Sequence, residues 1–260
     1  MPAPFVEVDR LSKHFGGLRA VDGLTIDVLH HEVLGIIGPN GAGKTTAINL
    51  ISGVIKPSSG SVRFDGNDIT GFPPFFLAKL GLVRTFQATT VYSQQTVREN
   101  CLRGAYLHLY TGFFSALLNT TAARDARAKI ESQIEKTLAW LGLEDRADSI
   151  AGSLPYGYQK MLGLAIALMA SPRLVMLDEP AAGLSTDEAD RIRETIRKIH
   201  GQGIAVVVID HNMRFMGGLC DRIIVMHYGR KIAEGTPSAV FSDPAVIEAY
   251  LGKRYAGARN

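Results

Sequence analysis

The sequence predicts an α/β core interrupted by a helical lobe, and three observations predict it. Apolar runs at Val33 to Ile37, Leu174 to Leu177 and Ala205 to Ile209 read as strands buried on both faces of a parallel sheet. Helical patterns follow the first run and separate the other two, the alternation of an α/β domain. From about Val91 to Ala170 the periodicity is helical with few strand signals.

Taken in order, Val6 and Val8 alternate with Glu7 and Asp9, the period of a half-exposed strand, and Leu24 to Leu29 is a second strand candidate. After Val33 to Ile37 comes a glycine-rich turn. Thr45 to Ser52 then has helical character, with Gly53 as its C-terminal stop. Within the lobe, Arg124 to Lys136 is rich in charge, and Ile130, Ile134, Leu138 and Leu141 supply an apolar stripe. Ser185 and Glu188 have the spacing of a capping box, followed by Ala189, Ile192, Ile196 and Ile199 on one helical face. Arg222 to Met226 and Lys231 to Ala233 flank Tyr228-Gly229 as a hairpin. The expected division is an α/β core of residues 1–90 and 171–260, with residues 91–170 as the inserted helical subdomain.

At 260 residues and 46% hydrophobic content the chain can bury a substantial core. Lys+Arg total 28 against Asp+Glu 25, so there is no concentrated basic charge of the kind nucleic acid demands. Cys101 and Cys220 belong to no CxxC pattern and read as ordinary thiols in a reducing compartment. The first residues lack the basic start and apolar h-region of a signal peptide. No run of 18 apolar residues is present to span a bilayer, so any service to a membrane is expected to go through partners.

Gly38-Pro39-Asn40-Gly41-Ala42-Gly43-Lys44-Thr45-Thr46 matches G-x-x-x-x-G-K-[ST] between a strand and a helix. Its glycines let backbone N–H groups converge on phosphate oxygens, and the helix starting near Lys44 points its positive end at the anion. Lys44 is expected to reach the β- and γ-phosphates of a nucleotide, and the Thr45 hydroxyl to ligate Mg²⁺. Leu174-Val175-Met176-Leu177-Asp178-Glu179 ends a buried strand in two carboxylates. Asp178 is the candidate metal ligand and Glu179 the candidate general base for water. Either motif alone has a bland reading, a glycine turn or a solvated acidic turn before Pro180. Together they specify nucleotide-phosphate chemistry.

Four further motifs narrow this. Gln87 lies in Arg84-Thr85-Phe86-Gln87. Leu154-Pro155-Tyr156-Gly157-Tyr158-Gln159 precedes the helix leading to Asp178-Glu179. Ala182-Gly183-Leu184-Ser185 follows those carboxylates, and His211 comes after the next buried strand. In order and spacing the chain resembles the ABC ATPase family over essentially its whole length. The resemblance implies a P-loop core whose mixed sheet has an antiparallel N-terminal β part. It also implies ATP and Mg²⁺ as ligands. By resemblance, Phe15 stacks on adenine; the alternative is an aromatic of the core. Gln87 contacts the metal and the lytic water and senses the transmembrane partner; His211 touches the γ-phosphate. The signature residues Pro155, Tyr156, Gly157 and Tyr158 act on ATP held by the opposite subunit of a head-to-tail dimer.

Phe15-Gly16-Gly17-Leu18, Arg84-Thr85-Phe86-Gln87, the Leu-Pro-Tyr-Gly signature, Pro180-Ala181-Ala182-Gly183-Leu184 and Val246 to Gly252 are similar to the branched-chain amino acid uptake subunits of that family. So is Thr111-Gly112-Phe113-Phe114-Ser115, read as packing in the lobe or against the permease, or as a membrane-surface helix. Implied partners are integral-membrane permease subunits, a second ATP-binding subunit and, indirectly, a substrate-binding protein, at the cytoplasmic face of the inner membrane. Other cargo (urea or amides, polar amino acids, lipid) leaves the same motifs, and a soluble or non-catalytic cassette is the remaining alternative. Pro155 replaces the signature serine and removes one hydroxyl; Tyr158, Gly163, Ile166 and Ser185 also depart from the broader pattern.

Overall fold

A computed structural model describes residues 4–85, 91–105 and 121–251. The apolar runs form the predicted strands. β1 (Val6–Phe15), β2 (Leu18–Val28), β4 (Ser59–Phe64) and β5 (Asn67–Asp68) make an antiparallel sheet in the order β2-β1-β4-β5. The second sheet runs β10-β9-β3-β8-β7-β6, comprising β3 (Val33–Ile37), β6 (Leu82–Thr85), β7 (Leu174–Asp178), β8 (Ala205–Ile209), β9 (Arg222–His227) and β10 (Arg230–Gly235). It is parallel except for β10, which returns from β9 through Tyr228 (φ 46°) and Gly229 (φ 79°). The hairpin expected around those two residues is therefore present.

β3, β7 and β8 are buried along their whole length because both faces are covered. Leu34, Ile36, Met176, Val207 and Ile209 join a core shared with the antiparallel sheet and α1 (Lys44–Ile51). Their neighbours Val33, Ile37, Val175, Leu177, Val206 and Val208 face the opposite way, onto α6 (Thr186–Gly201) and α7 (Met213–Gly217). That two-residue alternation makes a three-layer molecule. Gly53 follows α1 at φ 72°, as a helix stop should.

Between β6 and β7 the described elements are helical: α3 (Val97–Gly104), α4 (Thr121–Leu141) and α5 (Tyr156–Leu168), after α2 (Pro74–Leu80) has preceded β6. They have a core of their own, in which Ile130, Ile134, Leu138 and Leu141 meet Val97, Cys101 and Leu162. One isolated bridge, Thr96 to Ile150, is the extended pairing seen there. The segment Thr111 to Ser115 lies outside the described residues. The final helices are α8 (Pro237–Ser242) and α9 (Pro244–Leu251). Among the described residues no helix is long and apolar enough to cross a membrane.

The capping box at α6 forms as predicted. Ser185 Oγ accepts from the Glu188 amide at 3.4 Å, and Glu188 accepts from the Ser185 amide at 2.9 Å. Ser185→Ala should cost about 1 kcal/mol of stability, measured by urea unfolding. Burial pushes the Cys101 and Cys220 thiols up to about 12, so neither is a thiolate nucleophile near neutral pH.

Candidate functional site

Backbone geometry builds the phosphate loop. β3 delivers the chain to Gly38, where a Cβ would stand 2.1 Å from the Met226 carbonyl oxygen. At Gly43 (φ 97°) a Cβ would meet the Ala20 carbonyl oxygen at 2.3 Å, so no side chain fits either position. α1 then starts without a side-chain cap, which leaves its N-terminal amides and its positive dipole end to an incoming anion. Asn40, Gly41 and Thr45 are exposed, Thr46 is half-buried, and Ala42 is buried. The Gly229 amide donates to the Ala42 carbonyl at 2.9 Å and pins the loop to the β9–β10 turn.

Lys44 is buried and folds back over this loop. Its ammonium donates to the Gly38 carbonyl at 2.7 Å and to the Pro39 carbonyl at 3.0 Å. Burial depresses its pKa, and the negative charges of Glu179 and Asp178 oppose that shift. The phosphate loop and the two carboxylates are thus brought within electrostatic reach of one another.

Asp178 ends β7 with its side chain only 4% exposed, paired to Arg84 at 2.8 Å. Glu179 follows in a left-handed backbone conformation (φ 50°), which costs a residue with a Cβ about 1–3 kcal/mol and is characteristic of functional sites. Its amide donates to the Ile209 carbonyl at 2.7 Å. Its carbonyl accepts from the Ala182 amide at 3.2 Å and from Lys160 Nζ at 3.2 Å. Those bonds fix the main chain at this residue. Glu179 Oε1 lies 3.8 Å from His211 Nδ1, too long for a hydrogen bond but close enough to share a ligand. Between β8 and His211, the buried Asp210 accepts from the Ala181 amide at 3.1 Å and the Asn212 amide at 2.9 Å. Asp210 therefore fastens the segment after Glu179 to the segment bearing His211.

The signature segment is organised around α5. Pro155 stands at its N-cap, and the Tyr158 and Gln159 amides donate to the Pro155 carbonyl at 2.9 and 3.1 Å. Gly157 lies against Glu188, whose Oε1 would be 2.7 Å from a Cβ placed there. Ser185, more than any other group, holds that carboxylate below the usual range, and the Gly157 amide adds to the effect. Tyr156 is exposed, with Lys160 Nζ 5.4 Å above its ring, and Arg146 stacks 4.2 Å over Tyr158.

Phe15, at the end of β1, is 49% exposed with Lys13 Nζ 5.3 Å over its ring. It is not a core residue. Gln87 lies outside the described residues. Sequence reasoning missed Arg84, Lys160 and Asp210 as parts of this site, because their partners are spatial neighbours without a short-range motif.

For Mg²⁺, which keeps much of its water and takes one or two protein oxygens plus phosphate, one buried carboxylate and one hydroxyl beside a phosphate loop are a fitting donor set. Among the described residues there is no cluster of three His, Cys, Asp or Glu that would instead make a closed protein cage.

Residues 21–182 match the family described as "ABC transporter", and residues 230–256 match the family described as "Branched-chain amino acid ATP-binding cassette transporter". The chain is 39% identical over 254 residues to the high-affinity branched-chain amino acid transport ATP-binding protein BraF of Pseudomonas aeruginosa, covering 97% of this chain and 100% of that one. It is 37% identical over 254 residues to LivG of Escherichia coli, named in the same words, with the same coverage of both chains. Among solved structures it superposes on a nucleotide-free ATP-binding cassette from an ABC transporter with a TM-score of 0.85 and 33% identity, covering 96% of this chain and 100% of that one. The ADP conformation of an ATP-binding cassette gives the same four values.

Proposed function

The chain belongs to the ABC transporter family of ATP-binding cassettes and is an ATPase, and we propose that it powers an importer of branched-chain amino acids. The observation that carries this cargo is the end-to-end likeness to two ATP-binding proteins named for that transport. In this reading the protein works at the cytoplasmic face of the inner membrane, bound to permease subunits that receive substrate from a binding protein. Residues 91–170 are the signature-bearing lobe that moves against a core of residues 1–90 and 171–260. A second, related ATP-binding subunit completes a head-to-tail dimer, in which Pro155, Tyr156, Gly157 and Tyr158 face ATP held by the partner. Gly157 and the amides at the start of α5 supply the contact there, since Pro155 has no hydroxyl.

In this reading each residue has a stated part in the chemistry. Lys44 exchanges the Gly38 and Pro39 carbonyls for the β- and γ-phosphates, and the amides of Asn40 to Thr46 line the same anion. Phe15, exposed at the end of β1, stacks on the adenine in this reading. Glu179 takes the proton of the attacking water, and His211 donates to the γ-phosphate as charge accumulates on it. Thr45, Asp178 and Gln87 would hold Mg²⁺, which when bound neutralises charge on the transferred phosphoryl group.

Reconstitution tests the cargo. In vesicles holding the permease and both ATP-binding subunits, leucine-loaded binding protein should raise phosphate release several-fold, whereas urea or lysine should not. Stimulation by urea or lysine in place of leucine would overturn the assignment.

A further inference from the structure

We propose that Arg84 is the positioning residue for Asp178, setting the orientation in which that carboxylate receives the divalent cation. The inference rests on the reading in which Asp178 is a metal ligand.

Arg84 is the third residue of β6, which pairs in parallel with β7 so that Arg84 lies opposite Met176 and Thr85 opposite Leu177. Its guanidinium reaches past the end of β7. Nη2 donates to Asp178 Oδ2 at 2.8 Å, with the two side chains 6% and 4% exposed. Nη1 turns the other way. It donates to Asn49 Oδ1 on α1 and, at 3.3 Å, to Ser52 Oγ, the residue that ends that helix. Ser52 Oγ is itself fixed by donating to the Ile48 carbonyl at 2.6 Å.

One planar group therefore joins the metal-bearing strand to the far end of the helix whose near end forms the phosphate loop. A guanidinium carries donors in a rigid fork, so fixing Nη1 on α1 fixes where Nη2 can be. The bond commits Oδ2 and directs metal ligation to the other oxygen of Asp178. Hydrogen-bonded partners of ligating carboxylates act in this manner, and removing them costs about 10–100-fold in metal affinity or activity. A bland account treats the pair as structural only. That account gives no reason for a metal-specific effect, and this difference is what can be measured.

The test uses the purified full chain with ADP and Mn²⁺, following the loss of free-Mn²⁺ electron paramagnetic resonance signal. Arg84→Lys keeps the charge and loses the fork; Arg84→Met removes both. Each should weaken Mn²⁺ binding by about tenfold or more. Nucleotide affinity measured in EDTA should stay within about twofold of wild type, because the phosphate loop itself is untouched. The Mg²⁺ concentration giving half-maximal turnover should rise with them, while turnover at saturating Mg²⁺ largely recovers. Should Arg84→Met fail to fold, Arg84→Lys carries the measurement, with its melting temperature as the check. Weakened Mn²⁺ binding in Asp178→Asn but wild-type binding in a folded Arg84→Lys overturns the role of Arg84 alone. Wild-type binding in both overturns the metal assignment to Asp178, and this proposal with it.

Discussion

Glu179→Gln lowers ATP turnover by about a thousandfold, inside the range of about 10²–10⁴ that a positioned general base contributes. The amide matches the carboxylate in shape and cannot take the proton of water. Its placement should survive the change, since the left-handed backbone at residue 179 is held by main-chain bonds to Ile209 and Ala182 and by Lys160. ATP should therefore still bind and remain unhydrolysed. Phosphate release and nucleotide retention measured on the same preparation separate the two effects. Turnover near the wild-type rate would move the base away from Glu179.

Lys44→Ala has the second large effect, lowering kcat/KM for ATP by about 10²–10³, the loss that follows removal of one preorganised donor to developing charge. Two costs combine. The γ-phosphate loses its cation, and the Gly38 and Pro39 carbonyls lose the donor they hold at 2.7 and 3.0 Å. Against the second stands a gain, because a buried ammonium whose pKa is depressed by desolvation is removed. Stability should thus change far less than catalysis. Nucleotide titration beside urea unfolding checks this, and unchanged affinity with unchanged turnover would contradict the assignment.

The parts of this site that were legible in the sequence share one property: each is a local pattern. The phosphate-loop motif is nine consecutive residues running from the end of β3 into the first turn of α1. Asp178 and Glu179 end an apolar run, and Ser185 and Glu188 are one helical turn apart. The buried strands β7 and β8 were readable because both their faces are covered, which forces a continuous apolar run. β1 and β2 extend well beyond the stretches that alternation marks out. Their outer portions, around His14, Phe15, Leu18 and Arg19, are exposed and carry no core-facing period. β4 was passed over for a similar reason, since only Val62 and Phe64 of Ser59–Phe64 are buried. The Arg84–Asp178 pair joins residues 94 positions apart, and no short motif encodes a contact made only when two parallel strands come together. The left-handed backbone at Glu179 is equally invisible in sequence, because the hydrogen bond its amide makes is to Ile209 on the neighbouring strand, 30 positions away.

Uptake of labelled leucine tests the central claim most directly, in cells lacking this protein and supplied with either the wild-type chain or Glu179→Gln. Restoration by the wild type alone is the predicted result, tying ATP hydrolysis in this chain to import of a branched-chain amino acid. Equal restoration by Glu179→Gln would contradict the catalytic assignment. A wild-type chain that hydrolyses ATP in vitro yet restores no leucine uptake would contradict the cargo.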